Sequence, residues 1–185
     1  MALDRDDLID GLRQVVHLLH ERHEPGGIRI VGGAALSLRY FDRGTTDDID
    51  AKIHPSGPAL QAVADVAATN GWPEDWFNTK AEMFIPIATA EWEPLYDDGN
   101  VGIWVASAGT LLAMKLRASR PARDTDDIAK LLVICGVRSA AAALEHYEQF
   151  YPGETLEPKA DRMLDAIFAE GLPARPKRPP APSFG

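Results

Sequence analysis

The stretch IRIVGGAALSLRYFDRGTTDDIDAKI, residues 28–53, decides how this chain folds. It reads as strand, turn, helix, turn, strand. Ile28-Arg29-Ile30-Val31 is a short β-prone run, followed directly by Gly32-Gly33. Ala34 to Tyr40 looks helical, Asp42-Arg43-Gly44 is a turn, and Asp48 to Ile53 is a second strand stopped by Pro55. In that strand Ile49, Ala51 and Ile53 alternate with Asp48, Asp50 and Lys52. Successive strand side chains point to opposite faces, so one face is apolar and the other carries two carboxylates. Asp47 faces away from that pair. Two adjacent carboxylates repel each other without a cation; with Mg²⁺ and a nucleotide's phosphates they form a coordination site. The plainer reading is an acidic turn in which Asp47 and Asp48 serve as cap or turn residues. A glycine pair between a strand and a helix lets phosphate approach backbone N–H groups, although such a pair also simply makes tight turns.

Outward from this core, residues 4–23 read as an amphipathic helix with Leu8, Leu12, Val15, Val16 and Leu19 on one stripe. Residues 57–70 form an Ala- and Val-rich helix closed by Asn70-Gly71. Met83 to Ala88 looks like a strand, Asp97-Asp98-Gly99-Asn100 is a turn signal, and Val101 to Val105 suits a further strand. From Ser107 the chain turns helical, over about 107–119, 124–135, 139–150 and 158–170. Alternating helices and strands followed by helices alone predict an α+β protein: a small mixed β-sheet with packed helices, then a C-terminal helical bundle. The expected division is 1–106, 107–170 and a flexible Pro-rich tail over 171–185.

The chain has 185 residues and a net charge of −9, so it is not a nucleic-acid-coating surface as a whole. A local basic patch could still hold RNA. The single cysteine, Cys135, excludes an intramolecular disulfide, points to a reducing compartment and lies in an apolar run. His17, His20 and His23 share a helix edge and read as solvated rather than metal-binding. No signal peptide or membrane-spanning run is apparent, and the expected location is cytoplasmic.

Two further groups carry chemistry. At ~100° per residue, Lys115 falls between Leu111 and Leu112 on the apolar side of its helix. A lysine there either snorkels to water or meets an anion such as phosphate. In Arg123-Asp124-Thr125-Asp126-Asp127 the plain role is helix capping, with Asp124 at the N-cap. Yet Asp124 shares a stripe with Ile128, Leu131 and Cys135, and Asp127 borders it, so both can face the protein. Asp126 points to the polar side with Lys130.

In this order the four pieces resemble the minimal nucleotidyltransferases of the DNA polymerase beta superfamily, with closest similarity to the AbiEii-type group that includes toxins of toxin–antitoxin systems. The resemblance runs from about Ile28 to Tyr151. Gly32-Gly33 looks like the family's glycine motif, and Thr46, Asp48 and Asp50 look like its T-x-D-x-D motif. Leu112-Ala113-Met114-Lys115 resembles its lysine motif, and Arg123 to Asp127 its R-D-x-x-D motif. The resemblance implies transfer of a nucleoside monophosphate from an NTP to an acceptor, with release of pyrophosphate. It implies Mg²⁺ (or Mn²⁺) held by Asp48 and Asp50, and nucleotide contacts from Gly32, Gly33, Arg43, Thr46 and Lys115. Asp124 or Asp127 would activate the acceptor hydroxyl or assist the metal. The implied acceptor is tRNA, with an antitoxin protein as partner; the alternatives are a small antibiotic-like acceptor or a non-catalytic nucleotide-binding module. Members often carry a third carboxylate on a neighbouring strand. Here Phe84-Ile85-Pro86-Ile87 has none, which leaves Glu82, Glu91 and Glu93 as substitutes. Family arginines often stand two positions before the threonine, whereas Arg43 is one residue early.

Overall fold

A computed structural model describes residues 2–184. The architecture is α+β, with a five-stranded mixed sheet and seven α-helices among the described residues. The chain divides into two compact units. The first comprises the chain up to Met83, Trp92–Val105 and the residues from Lys177 onward; the second comprises Phe84–Glu91 and Ala106–Pro176.

In the first unit the sheet order is β3-β2-β1-β5-β4. The strands are β1 (Gly26–Val31), β2 (Ile49–His54), β3 (Phe77–Asn78), β4 (Trp92–Asp97) and β5 (Val101–Ala106). β1 pairs antiparallel with β2 and parallel with β5, and β2 pairs parallel with β3. Ile28, Ile30, Ile49, Ala51, Ile103 and Val105 are fully buried, which identifies the sheet face that meets the core. Their strand neighbours Arg29, Lys52 and His54 are exposed, so the alternation expected for 48–53 holds along β1 and β2.

Three helices of this unit are α1 (Arg5–Glu21), α2 (Gly32–Arg39) and α3 (Ser56–Asn70). α1 starts with a capping box. The Asp4 carboxylate accepts from the Asp6 and Asp7 N–H groups, and Asp7 accepts from the Asp4 N–H at 3.0 Å. Its buried stripe is Leu8, Leu12, Val15, Val16 and Leu19, the stripe expected from the sequence. α1 packs on α3 and α2. α3 ends at Gly71, whose φ of 65° suits a left-handed helix terminus.

The second unit is helical: α4 (Ala108–Ala118), α5 (Pro121–Cys135), α6 (Ala140–Phe150) and α7 (Pro158–Glu170). α4 packs on α5 and α6, and α7 on α5 and α6. Cys135 is partly covered, and burial pushes its thiol pKa up to about 11, so it is an inert packing residue.

Two expected elements differ. Met83–Ala88 is not a strand: Glu82–Phe84 is a single 3₁₀ turn, and Pro86 C=O accepts from the Ala90 N–H. Pro86 has no N–H to offer a ladder, and Met83, Phe84 and Ile87 are exposed, so no core selects an extended conformation there. α5 begins at Pro121, with Arg120 rather than Asp124 as its N-cap. Proline is preorganised for the first helical position, and this moves Asp124 into the first turn. Residues beyond 176, which composition leaves as a tail, are seated on the first unit. Arg5 donates to the Pro180 C=O at 2.5 Å and Arg13 to the Ser183 C=O at 3.1 Å, Arg178 pairs with Glu93, and Phe184 is 4% exposed against Tyr96.

Candidate active site

β1 ends at Val31, and the chain turns directly into α2 at Gly32. Gly32 has φ +68°, a backbone conformation that L side chains rarely adopt. A Cβ there would lie 3.2 Å from Asp50 Oδ2, so the Asp50 carboxylate stands against the turn. The register agrees: Val31 is the ladder partner of Asp50. At Gly33 a Cβ would lie 2.8 Å from Arg43 Nη1 and 2.9 Å from Thr46 Oγ1. Both side chains therefore cover a space that only a glycine leaves free. The N-cap of α2 is Val31, whose apolar side chain offers no acceptor to the first N–H groups of the helix.

The loop that carries Thr46 and Asp48 is held at several points. Leu3 and Thr46 form an isolated antiparallel bridge, with N–H to C=O distances of 2.7 and 2.9 Å in the two directions. Arg43 donates to the Thr45 C=O at 3.2 Å, and Thr46 Oγ1 to the Asp48 C=O at 3.3 Å. Asp48 is gripped from the side: Asn78 Nδ2 donates to Asp48 Oδ2 at 2.8 Å. Asn78 is the register partner of Asp50 on β3, so its side chain shares the face of Asp50. The two carboxylates and the Asn78 amide therefore meet on one face, beside the glycine turn. Gly32, Gly33, Arg43, Thr46, Asp48 and Asp50 are all brought together.

The residue beside Asp50 on the neighbouring strand is thus Asn78, not a carboxylate. Glu82 pairs instead with Lys52 at 3.4 Å, and Glu93 with Arg39 and the Tyr40 hydroxyl at 2.8 and 2.9 Å. Glu91 lies in the second unit, with its N–H on Thr110. β3 was missed from sequence because two residues show no alternation. The one available signal was its flank: Trp72 and Trp76 stack edge to face, and Trp76 is buried just before Phe77.

Among the described residues no group of three or more His, Cys, Asp or Glu is arranged to hold a metal ion. Asp48 and Asp50 offer carboxylate oxygens, the donor type Mg²⁺ prefers, while the Asn78 amide turns its nitrogen to Asp48 and its oxygen to the Lys80 N–H at 2.9 Å. Mg²⁺ binds through one or two protein carboxylates, with waters and substrate phosphates completing its octahedron. The donor set therefore fits Mg²⁺ brought with a nucleotide rather than a resident ion in a protein cage. The histidines of α1 go elsewhere: His17 contacts Glu21 at 3.2 Å and His20 contacts Asp98 at 2.6 Å.

In the second unit Lys115, Asp124 and Asp127 come together. Lys115 Nζ is 2.7 Å from Asp124 Oδ1 and 2.9 Å from Asp127 Oδ2, and the three side chains are 7%, 0% and 4% exposed. Arg120 Nε adds a bond to Asp124 Oδ2 at 2.9 Å. Burial by itself would raise the Asp124 pKa. The hydrogen bond and charge of Lys115, and then those of Arg120, outweigh it and hold the carboxyl below its ordinary value. Asp126 instead pairs with Lys130 on the exposed side, as the helix stripe predicts.

Residues 8–141 match a family described as "Nucleotidyltransferase of unknown function (DUF6036)". The chain belongs to that family. The matched segment includes the glycine turn, the Asp48/Asp50 loop and the Lys115–Asp124–Asp127 cluster of this nucleotidyltransferase family member. No curated protein and no solved structure matches the chain. No helix among the described residues is long and apolar enough to cross a membrane.

Proposed function

We propose that this protein is a Mg²⁺-dependent nucleotidyltransferase that moves a nucleoside monophosphate from an NTP to an acceptor hydroxyl. One observation carries the reading: Asp50 Oδ2 stands at the Gly32 turn, with Asp48 fixed beside it by Asn78. This places two carboxylates next to the N-terminus of α2, whose N-cap is the apolar Val31. A helix N-terminus favours phosphate through its backbone N–H groups and its dipole.

In this reading the Gly32-Gly33 backbone and Arg43 receive the β- and γ-phosphates. Thr46 orders the loop, and Asp48 and Asp50 hold Mg²⁺. When bound, that ion would neutralise charge building on the phosphates. The acceptor oxygen forms a new bond to the α-phosphorus, the α–β bridging P–O bond breaks, and pyrophosphate leaves with the electron pair. The acceptor's proton passes to solvent or to a nearby carboxylate. Lys115, Asp124 and Asp127 tie α4 to α5, with the lysine charge shared between two buried carboxylates, and their part in the transfer rests on the family resemblance alone. By resemblance to the AbiEii-type group, the proposed acceptor is tRNA and the setting a toxin paired with an antitoxin in the cytoplasm.

The test is incubation of the full chain with each α-labelled NTP, Mg²⁺ and total RNA, beside Asp50→Ala. Label should reach RNA with the wild type and fall by at least about a hundredfold with the variant, the order of losing a principal transition-state contact. Growth arrest on expression, relieved by Asp50→Ala, is the expected toxin outcome. Asn78 in place of a third carboxylate favours a second reading, a non-catalytic nucleotide-binding module. NTP binding with no labelled acceptor in RNA or small-molecule pools would select it.

A further inference from the structure

The polar face of the sheet carries a second feature beside Asp50. Arg29 and Lys52 are ladder partners two residues along from the Val31–Asp50 pair, roughly 7 Å down the strands on the same face. Arg29 also pairs in register with Trp104 on β5. Its Cζ lies 5.6 Å from the Trp92 ring centroid and 5.9 Å from that of Trp104, so the guanidinium is steadied by two indoles. The Trp104 ring lies flat along the sheet because Gly102 yields the space; a Cβ there would sit 2.0 Å from the ring. His54 follows Lys52 on this face and is exposed, as Arg29 and Lys52 are. Lys52 has Glu82 at 3.4 Å, whereas the Arg29 side chain makes no ion pair or hydrogen bond among the described residues. An exposed arginine steadied by two rings and not engaged by a carboxylate is placed to take an anion.

The position along the strand assigns its use. Asp50 lies between the glycine turn on one side and the Arg29–Lys52 pair on the other. In-line phosphoryl transfer puts the leaving pyrophosphate and the attacking oxygen on opposite sides of the phosphorus. With the triphosphate at the glycines, the attacking molecule arrives from the Arg29 side. We propose that Arg29, Lys52 and His54, with Trp92 and Trp104, form the acceptor subsite, and that it takes the phosphodiester backbone of a single-stranded nucleic-acid end. This rests on the nucleotidyltransferase reading and adds to it the residues that hold the acceptor and the part of the acceptor they hold. Cations interleaved with flat aromatic rings fit a strand of phosphates and bases, and the local positive charge stands against a net charge of −9.

The test is fluorescence anisotropy of a labelled single-stranded RNA oligonucleotide with the full chain and with Arg29→Ala, Arg29→Lys and Lys52→Ala. Folding is followed by circular dichroism, and MgATP affinity is measured in parallel. Arg29→Ala should weaken RNA binding by about tenfold, and Arg29→Lys should recover part of that loss. Lys52→Ala should lower the salt dependence by about one counterion. MgATP affinity should be unchanged in all three. Four outcomes overturn the proposal: no RNA binding by the wild type; equal RNA binding by Arg29→Ala; an equal loss of MgATP affinity, which would give the subsite to the donor; or full displacement of RNA by inorganic phosphate or a polyglutamate peptide. Arg29-dependent RNA binding without any nucleotide transfer would instead sink the transferase reading and leave the subsite standing.

Discussion

Asp50 and Asn78 face each other across two strands, and the pairing makes separate demands on each. Asp48 accepts a hydrogen bond from the Asn78 amide, which a carboxylate at that position could give only when protonated. Asn78→Asp should therefore lower the melting temperature in EDTA through like-charge repulsion. It should also make the protein gain more stability from added Mg²⁺ than the wild type does, since a third carboxylate strengthens a cation site. Thermal melts with and without Mg²⁺ check this, and an equal Mg²⁺ response in both proteins would count against the metal site. Gly32→Ala makes a different demand. A side chain at φ +68° costs about 1–2 kcal/mol, and here it also presses on Asp50 Oδ2. Denaturant midpoints should fall accordingly, and NTP affinity should fall with them. The pattern of alternating Asp and Ile already placed Asp50 on a polar strand face. Asn78 had no such signal, because its strand is two residues long and exists through pairing with β2.

At the scale of elements, α4 and α5 are joined by a buried ion cluster. Removing one partner of such a cluster leaves uncompensated buried charge and costs about 3–5 kcal/mol. Lys115→Met takes from Asp124 and Asp127 the buried cation they share, leaving Asp124 to the more exposed Arg120, and should reduce the unfolding free energy by up to that order in urea titrations. A change below about 1 kcal/mol would mean that water reaches the cluster. The cluster also sets an acid dependence. The folded Asp124 pKa lies below its unfolded value, so its stabilisation is present above about pH 4 and is lost as the pH falls through the lowered folded value. Asp124→Asn should therefore flatten the decline of stability below about pH 4, as measured by urea unfolding at each pH. The helical stripe put Asp124 and Asp127 on the inward side of α5 and Asp126 on the outward side, as observed. It left open whether Lys115 meets phosphate or protein, because a stripe says which way a side chain points and not what waits there.

Across the whole molecule, composition misjudges the stretch after Gly171. Five prolines and three basic residues cannot form a core of their own, yet from Lys177 the chain adds to the first unit through Arg178, backbone carbonyls and Phe184. Truncation after Pro176 should remove about 2 kcal/mol from burial of Phe184 alone, and lower the melting temperature by roughly 4–8 °C in calorimetry. An unchanged melt would show that these contacts add nothing. The residue pattern sufficed for the α+β class, for the strand–glycine–helix–strand unit of 28–53, and for the identity of most candidate site residues. Those features are local: alternation, glycine at a turn, a stripe every three or four residues. Sheet order, the Asn78–Asp48 grip, the Leu3–Thr46 bridge, the Arg29–tryptophan stack and the Lys115 ion cluster arise between residues from nine to more than seventy positions apart. No short-range period encodes such pairs. They exist only once the core has packed and fixed which surfaces meet.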